Sequence, residues 1–185
     1  MLKPFYSSKN ISFMIISLIL NVNILGGEIS NKVDEILKNH FSGEISYKVN
    51  KLTIPSNVKY QIEKASHQRF FKDYVYEYRI YSGDSLVGIG LLDNVYGKAM
   101  PITFLVLFNT KGSIQNVYIV KYREEYGGQI SNNSWLEQFN GSNWNSSFQV
   151  GKDIDGISGA TISVNSITKG IKKTALIYYK ILKNE

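Results

Sequence analysis

Apolar residues recur along this chain with two different periods, and each change of period marks an element. Val33, Ile36, Leu37 and His40 or Phe41 fall on one helical face, with Asn31 placed to cap that helix. Pro55-Ser56 opens a second helical pattern through Val58, Ile62 and Ala65. From Tyr74 to Tyr81 the residues are mostly β-formers, and Ser82-Gly83-Asp84-Ser85 predicts a turn into a returning strand from Leu86 to Leu92. Gly88 and Gly90 inside that strand predict a bulge or a close backbone approach. Ile102 to Phe108 is an almost continuous apolar run and reads as a central strand. Thr110-Lys111-Gly112-Ser113 then turns the chain into a partner strand from Ile114 to Tyr122. A glycine loop at Tyr126-Gly127-Gly128, a short helix around Trp135 to Phe139, an Asn/Ser-rich loop over 140–147 and a short strand from Phe148 to Val150 follow. The last pattern is helical: Val164, Ile167, Ile171, Ala175, Tyr178 and Leu182 share a face, and Lys169, Lys172, Lys173 and Lys180 fall elsewhere on the wheel. The order helix, helix, hairpin, hairpin, helix, helix predicts an α+β fold, a twisted antiparallel sheet of two hairpins with helices packed on it.

The first residues follow a different rule. Lys3 and Lys9 precede the apolar run Ile11 to Leu25, which is shorter than the roughly 20 residues a membrane span needs. Residues 1–27 therefore read as a signal peptide, with Gly26-Gly27 near a cut, or as an uncleaved N-terminal membrane anchor. Residues 28–185 then form a single exported domain, periplasmic or held on the outer side of the cytoplasmic membrane. The 185 residues contain no cysteine, which excludes disulfides, thiolate metal sites and a cysteine nucleophile. With two histidines, a His-rich metal site is a poor expectation too, so an organic cofactor is the simpler route to redox chemistry. The net charge is +6; without the two leader lysines, 19 basic residues face 15 acidic ones. The lysines are scattered, so nucleic acid is not an expected partner.

The candidate chemistry lies in Asp155-Gly156-Ile157-Ser158-Gly159-Ala160-Thr161, immediately before the final helix. Gly156 and Gly159 offer freedom for positive φ and no Cβ to block approach. A helix starting near Ile162 or Ser163 would aim its unpaired N–H groups at an anion, with Ser158 and Ser163 adding hydroxyl donors. Asp155 could brace the turn through its carboxylate. Two readings stay open on the residues alone: an anion-holding turn that presents the Thr161 hydroxyl, or a Gly/Ser loop that merely starts a helix in a non-redox exported α+β binding module. Glu124 and Glu125 are adjacent, so their side chains diverge and they make a poor acid/base pair. His67 is expected on a helix surface.

The run resembles the D-x-x-S/T-G-A-T signal of bacterial FMN-binding domains, and all five fixed positions are met. Tyr96-Gly97-Lys98-Ala99-Met100-Pro101-Ile102 matches that family's glycine and proline before an apolar strand. Glu124-Glu125-Tyr126-Gly127-Gly128 matches its acidic loop, often E-T-P-G, with Tyr at the Pro place, and Trp135 with Phe139 matches its W-x-x-x-F helix. The resemblance covers about residues 86–182 and is to proteins such as the C subunit of the sodium-pumping NADH:quinone reductase and the G subunit of the Rnf complex. It implies FMN bound covalently through a phosphoester to Thr161 and attached by a flavin transferase that reads Asp155. It also implies cofactor contacts from Ser158, Gly159, Ala160, Ser163, Glu125, Tyr126, Gly127 and Trp135, with Tyr126 and Trp135 able to stack on the ring. The implied role is that of an exported electron carrier, or a subunit of an oxidoreductase system, that serves a membrane or periplasmic redox partner rather than acting as a complete enzyme.

Overall fold

A computed structural model of the chain describes residues 27–183. The segment expected to be a leader lies outside the described residues, apart from Gly27. Helix α1 spans Gly27–His40, so Asn31 sits inside it rather than at its cap, while Val33, Ile36 and Leu37 form its buried face as the periodicity predicts. Strand β1 (Ser46–Thr53) is followed by helix α2 (Ser56–Ser66), which buries Ile62 and Ser66 and leaves Ala65 exposed. His67 ends α2 in the left-handed conformation, at φ 52°. Strands β2 (Tyr74–Ser82), β3 (Ser85–Tyr96), β4 (Pro101–Phe108) and β5 (Ile114–Lys121) complete a five-stranded antiparallel sheet in the order β1-β2-β3-β4-β5.

The two expected hairpins are present, and the turn between β3 and β4 joins them into one meander. β1 is an addition to the expected set. It is an edge strand in which lysines and Asn interrupt a short run of half-buried Tyr47, Val49 and Leu52, so its sequence carries little strand signal. Both expectations for Gly88 and Gly90 hold. The β2–β3 register slips between Ile80 and Tyr81, and a Cβ on Gly88 would lie 2.9 Å from the Phe41 ring, which follows α1.

Helices cover both faces of the sheet. Alternate residues of β4 divide between them: Ile102, Phe104, Val106 and Phe108 join the cluster shared with α2 and helix α4 (Thr161–Ile177), and Leu105 and Leu107 join the cluster under α1. A strand buried on both sides has no polar phase, hence its unbroken apolar run. Between β5 and α4 come a 3₁₀ turn (Gly128–Ser131), the short helix α3 (Asn133–Leu136) and a second 3₁₀ turn (Glu137–Phe139). Asn132 caps α3 by accepting from the Ser134 N–H at 3.1 Å. Phe148–Val150 is not a strand; Val150 makes a single bridge to Ile154, and Phe148 has φ 55°. The final helix changes to a π-helical turn at Tyr178–Leu182, and all six predicted apolar positions are buried.

One residue on α4 departs from its pattern. Lys173, expected off the apolar face, is 0% exposed and pairs with the buried Asp93 of β3 at 2.8 Å. Its ammonium also donates to the Arg69 carbonyl at 3.3 Å and lies 4.7 Å from the centre of the Phe70 ring. A lysine can occupy a core position only when such partners replace the water it gives up. Nearby, Gly170 lets α4 approach the sheet: a Cβ there would lie 2.7 Å from Val95 Cγ1 and 2.9 Å from the Phe104 ring.

Two outcomes follow for stability. Lys173→Ala strands the Asp93 carboxylate and should lower the unfolding free energy by about 3–5 kcal/mol in urea denaturation, whereas replacing both residues by apolar ones of similar volume should recover most of the loss. Gly170→Ala should lower the urea midpoint, because overpacking costs about 1–3 kcal/mol and offsets the roughly 1 kcal/mol that Ala gains over Gly in a helix. An unchanged midpoint would mean that the α4–sheet contact relaxes freely.

Candidate functional site

Three segments far apart in sequence meet at one end of the sheet. The β3–β4 turn supplies Lys98, Ala99 and Met100. The stretch after β5 supplies Arg123, Glu124, Glu125, Tyr126 and Gly127. The start of α4 supplies Gly159, Ala160, Thr161, Ile162 and Ser163. Together they line an open groove of about 780 Å³, within the range of small-molecule and cofactor sites.

The α4 end of the groove has the donors that an anion would need. Thr161 is the first helical residue and is exposed. Ala160 stands at the N-cap and has no side chain with which to cap the helix. The first helical hydrogen bond runs from the Val164 N–H to the Ala160 carbonyl at 2.9 Å. The N–H groups of Thr161, Ile162 and Ser163 therefore precede the intrahelical ladder, as the first donors of any helix do, and they stand where the helix dipole is positive. Gly159 takes φ 79°, and the Ala160 N–H closes the turn onto the Ile157 carbonyl at 3.0 Å. Gly156, expected to share this role, has no positive φ.

The floor of the groove is built around Glu124. Its Oε1 accepts from the Ala99 N–H at 2.6 Å and the Met100 N–H at 3.1 Å. Its Oε2 lies 3.2 Å from the Tyr122 hydroxyl and accepts from the Ser163 hydroxyl at 3.3 Å. Partial burial pulls this carboxyl upward, but the two amides and two hydroxyls outweigh burial and hold it below the usual glutamate value. Burial pushes the Tyr122 phenol up. That phenol also donates to the Tyr126 carbonyl, which pins the loop on which Gly127 turns at φ 84°. A Cβ on Gly127 would lie 2.7 Å from the Tyr122 oxygen. Arg123 donates to the Pro101 carbonyl at 2.7 Å and to Thr103 Oγ1 at 3.0 Å. The rim is more apolar: Met100 is 44% exposed, Ile162 51% and Tyr126 80%.

The structure thus brings Thr161, Gly159, Ala160, Ser163, Glu125, Tyr126 and Gly127 together at the groove. Three expected site residues lie elsewhere. Trp135 is buried at 6% exposure, edge-on to Phe139 with ring centres 5.4 Å apart, and does not line the groove. Its indole N–H donates to the Asp155 carbonyl at 2.8 Å, and the Asp155 N–H donates to Gln138 Oε1 at 2.9 Å. The bracing expected of the Asp155 carboxylate is done by its backbone, and Trp135 acts by holding that backbone in place. Ser158 is exposed beside the turn and outside the groove. Lys98, Met100, Arg123 and Glu124 were not expected at the site. The sequence signal for the first three was the glycine-and-proline segment at 96–102 and the basic residue next to the acidic pair. For Glu124, Gly97 is the signal: a Cβ there would lie 2.8–2.9 Å from the carboxylate atoms, so the glycine leaves room for that side chain. No cluster of three or more metal-ligating side chains occurs among the described residues, and none of their helices is long and apolar enough to cross a membrane.

An exposed hydroxyl at a helix start, amides ahead of the helical ladder and a groove with an apolar rim are features that a phosphate-bearing cofactor with a flat ring would use. The model of the FMN-binding domain family matches residues 97–175. Those residues contain all three groove segments. Among solved structures, the crystal structure of Shewanella oneidensis NqrC is similar over 81% of this chain and 92% of that one, with a TM-score of 0.54 and 12% identity; at that identity the likeness is one of fold. No curated protein matched the chain.

Because the folded-state pKa of Glu124 is depressed, its contribution to stability is present above the unfolded value near 4.5 and is lost as pH falls through the folded value. In acid titrations of the unfolding midpoint, wild type should exceed Glu124→Gln most above that value, and the gap should close on acidification. Parallel titration curves would contradict this assignment.

Proposed function

We propose that this protein is an electron-transfer flavoprotein that carries FMN through a phosphoester on Thr161. The observation that carries this reading is the placing of an exposed Thr161 hydroxyl at the first position of α4, on the groove and beside the unladdered amides of Thr161, Ile162 and Ser163. The family match of the same segment supports it. The residues present fit the cofactor. The α4 amides and dipole suit a phosphate, Gly127 and Gly159 keep Cβ atoms away from the cradle, and Met100, Tyr126 and Ile162 offer apolar contact for a flat ring.

Bound FMN supplies a ring that takes up and gives up one or two electrons. The residues of this chain bind and orient it. Thr161 serves for attachment only. In the maturation step a flavin transferase makes the Thr161 hydroxyl oxygen the nucleophile towards the FMN-side phosphorus of FAD. The new O–P bond replaces the P–O–P linkage, AMP leaves, and the hydroxyl proton passes to solvent or to a base of the transferase. Arg123, committed to Pro101 and Thr103, keeps the β4 end of the groove fixed.

The apolar leader supports a location outside the cytoplasm, periplasmic or anchored on the outer face of the membrane, with a membrane or periplasmic redox partner. The fold likeness to NqrC is in keeping with service as one subunit of a larger redox system.

Co-expression with an active flavin transferase tests the proposal. After denaturation the wild-type protein should keep a flavin, seen as in-gel fluorescence and as an added FMN ester in the intact mass, and Thr161→Ala should keep none. A wild-type chain free of flavin beside a control substrate that is loaded would overturn the reading; retention of flavin by Thr161→Ala would move the attachment point. The same intact mass reports whether the leader is removed.

A further inference from the structure

We propose that Glu124 is a positioning residue of the groove: its carboxylate clamps the 97–100 turn to the first turn of α4, and its unneutralised charge tunes the potential of the flavin held there. The second half rests on the reading that the groove holds FMN; the first half does not.

The clamp follows from the geometry. The β3–β4 turn and the α4 start are more than sixty residues apart in sequence, and one carboxylate reaches both: Ala99 and Met100 amides on Oε1, the Ser163 hydroxyl on Oε2. The Tyr122 hydroxyl, 3.2 Å from Oε2, joins the same centre to the Tyr126 carbonyl. Three donors, the Ala99 and Met100 amides and the Ser163 hydroxyl, hold the ionised carboxylate. Gly97 is bare where a Cβ would meet it. The groove walls thus converge on Glu124, whereas the adjacent Glu125 is exposed at the mouth.

The charge argument comes from the identity of the partners. Glu124 is held by amides and a hydroxyl, and among the described residues it makes no ion pair. Lys98 and Arg123 line the groove, and Arg123 is committed to the Pro101 carbonyl and Thr103. A carboxylate beside a phosphate cradle works against the anion that the cradle attracts. It also opposes added negative charge on a ring nearby and so holds the flavin potential down.

Two variants of the full chain separate the roles. Glu124→Gln keeps an acceptor for the Ala99 and Met100 amides and an NH₂ for the Tyr122 or Ser163 oxygen, but removes the charge. Glu124→Ala removes both. The first readout needs no flavin: tryptic cleavage after the exposed Lys98 reports local opening of the clamped turn. It should be faster by about tenfold in Glu124→Ala and close to wild type in Glu124→Gln, since cutting follows the open population. Should Glu124→Ala fail to fold, Gly97→Ala, whose Cβ displaces the carboxylate, should open the same site. The second readout is the midpoint potential of the loaded protein, which should shift upward in Glu124→Gln. Cleavage at the wild-type rate in the folded Ala variants overturns the clamp, and an unchanged or lower potential in Glu124→Gln overturns the charge role. A wild-type chain that takes no flavin overturns the FMN reading instead, with the Lys98 readout still deciding the clamp.

Discussion

Everything at the groove depends on how closely α4 lies on β3 and β4. Gly170 removes the Cβ that would strike Val95 and Phe104, and three residues further on Lys173 reaches Asp93 of β3. Thr161 is nine residues before Gly170, which is about 14 Å of helix at 1.5 Å per residue. A helix fixed along its length to the sheet carries its first turn to a set place. A helix held only by a diffuse apolar face could slide or rotate and take the α4 wall of the groove with it. The directional contact of a buried ion pair adds what hydrophobic burial lacks, a register.

The same sheet fixes the opposing wall. The β3–β4 turn is short because Tyr96 pairs with Pro101 across it, and the Gly97 N–H closes onto the Met100 carbonyl at 3.0 Å. That closure leaves the Ala99 and Met100 amides pointing away from the turn, where Glu124 collects them. Backbone donors that a tight turn cannot satisfy internally have to find another acceptor or water. The groove floor is therefore assembled by the ordinary demand for hydrogen-bond partners, before any cofactor enters.

Most of this architecture was legible from the sequence because it rests on local signals. The unbroken Ile102 to Phe108 run, the glycine turns and the apolar stripe from Val164 to Leu182 each state their element without reference to the rest of the chain. The misses at β1, Lys173, Trp135 and Glu124 needed long-range information. β1 becomes a strand because β2 offers it an edge, not because Ser46 to Thr53 has a strong pattern. Lys173 looked like a surface lysine because helical periodicity records where a residue points and not that Asp93, eighty positions earlier, waits beneath it. Trp135 drew attention as an aromatic face near the motif, yet its N–H belongs to the Asp155 carbonyl. Adjacency in sequence argues against Glu124 and Glu125 as an acid/base pair, and it does not reveal the partners that Glu124 meets in space.

The acidic loop illustrates how a missing covalent constraint is replaced. In the pattern the family often shows, a proline precedes the glycine and fixes its own φ through its ring. Here Tyr126 stands in that place, and a tyrosine has no such restriction. The loop is held from outside instead: Tyr122 donates its phenol proton to the Tyr126 carbonyl, and Gly127 supplies the positive φ that lets the chain turn beneath that hydroxyl. A hydrogen bond is a softer restraint than a ring, but it leaves the Tyr126 side chain free to project from the rim, 80% exposed. A proline there would end in a small fixed ring. The tyrosine gives the groove an exposed aromatic face while Tyr122 holds the backbone beneath it through the Tyr126 carbonyl.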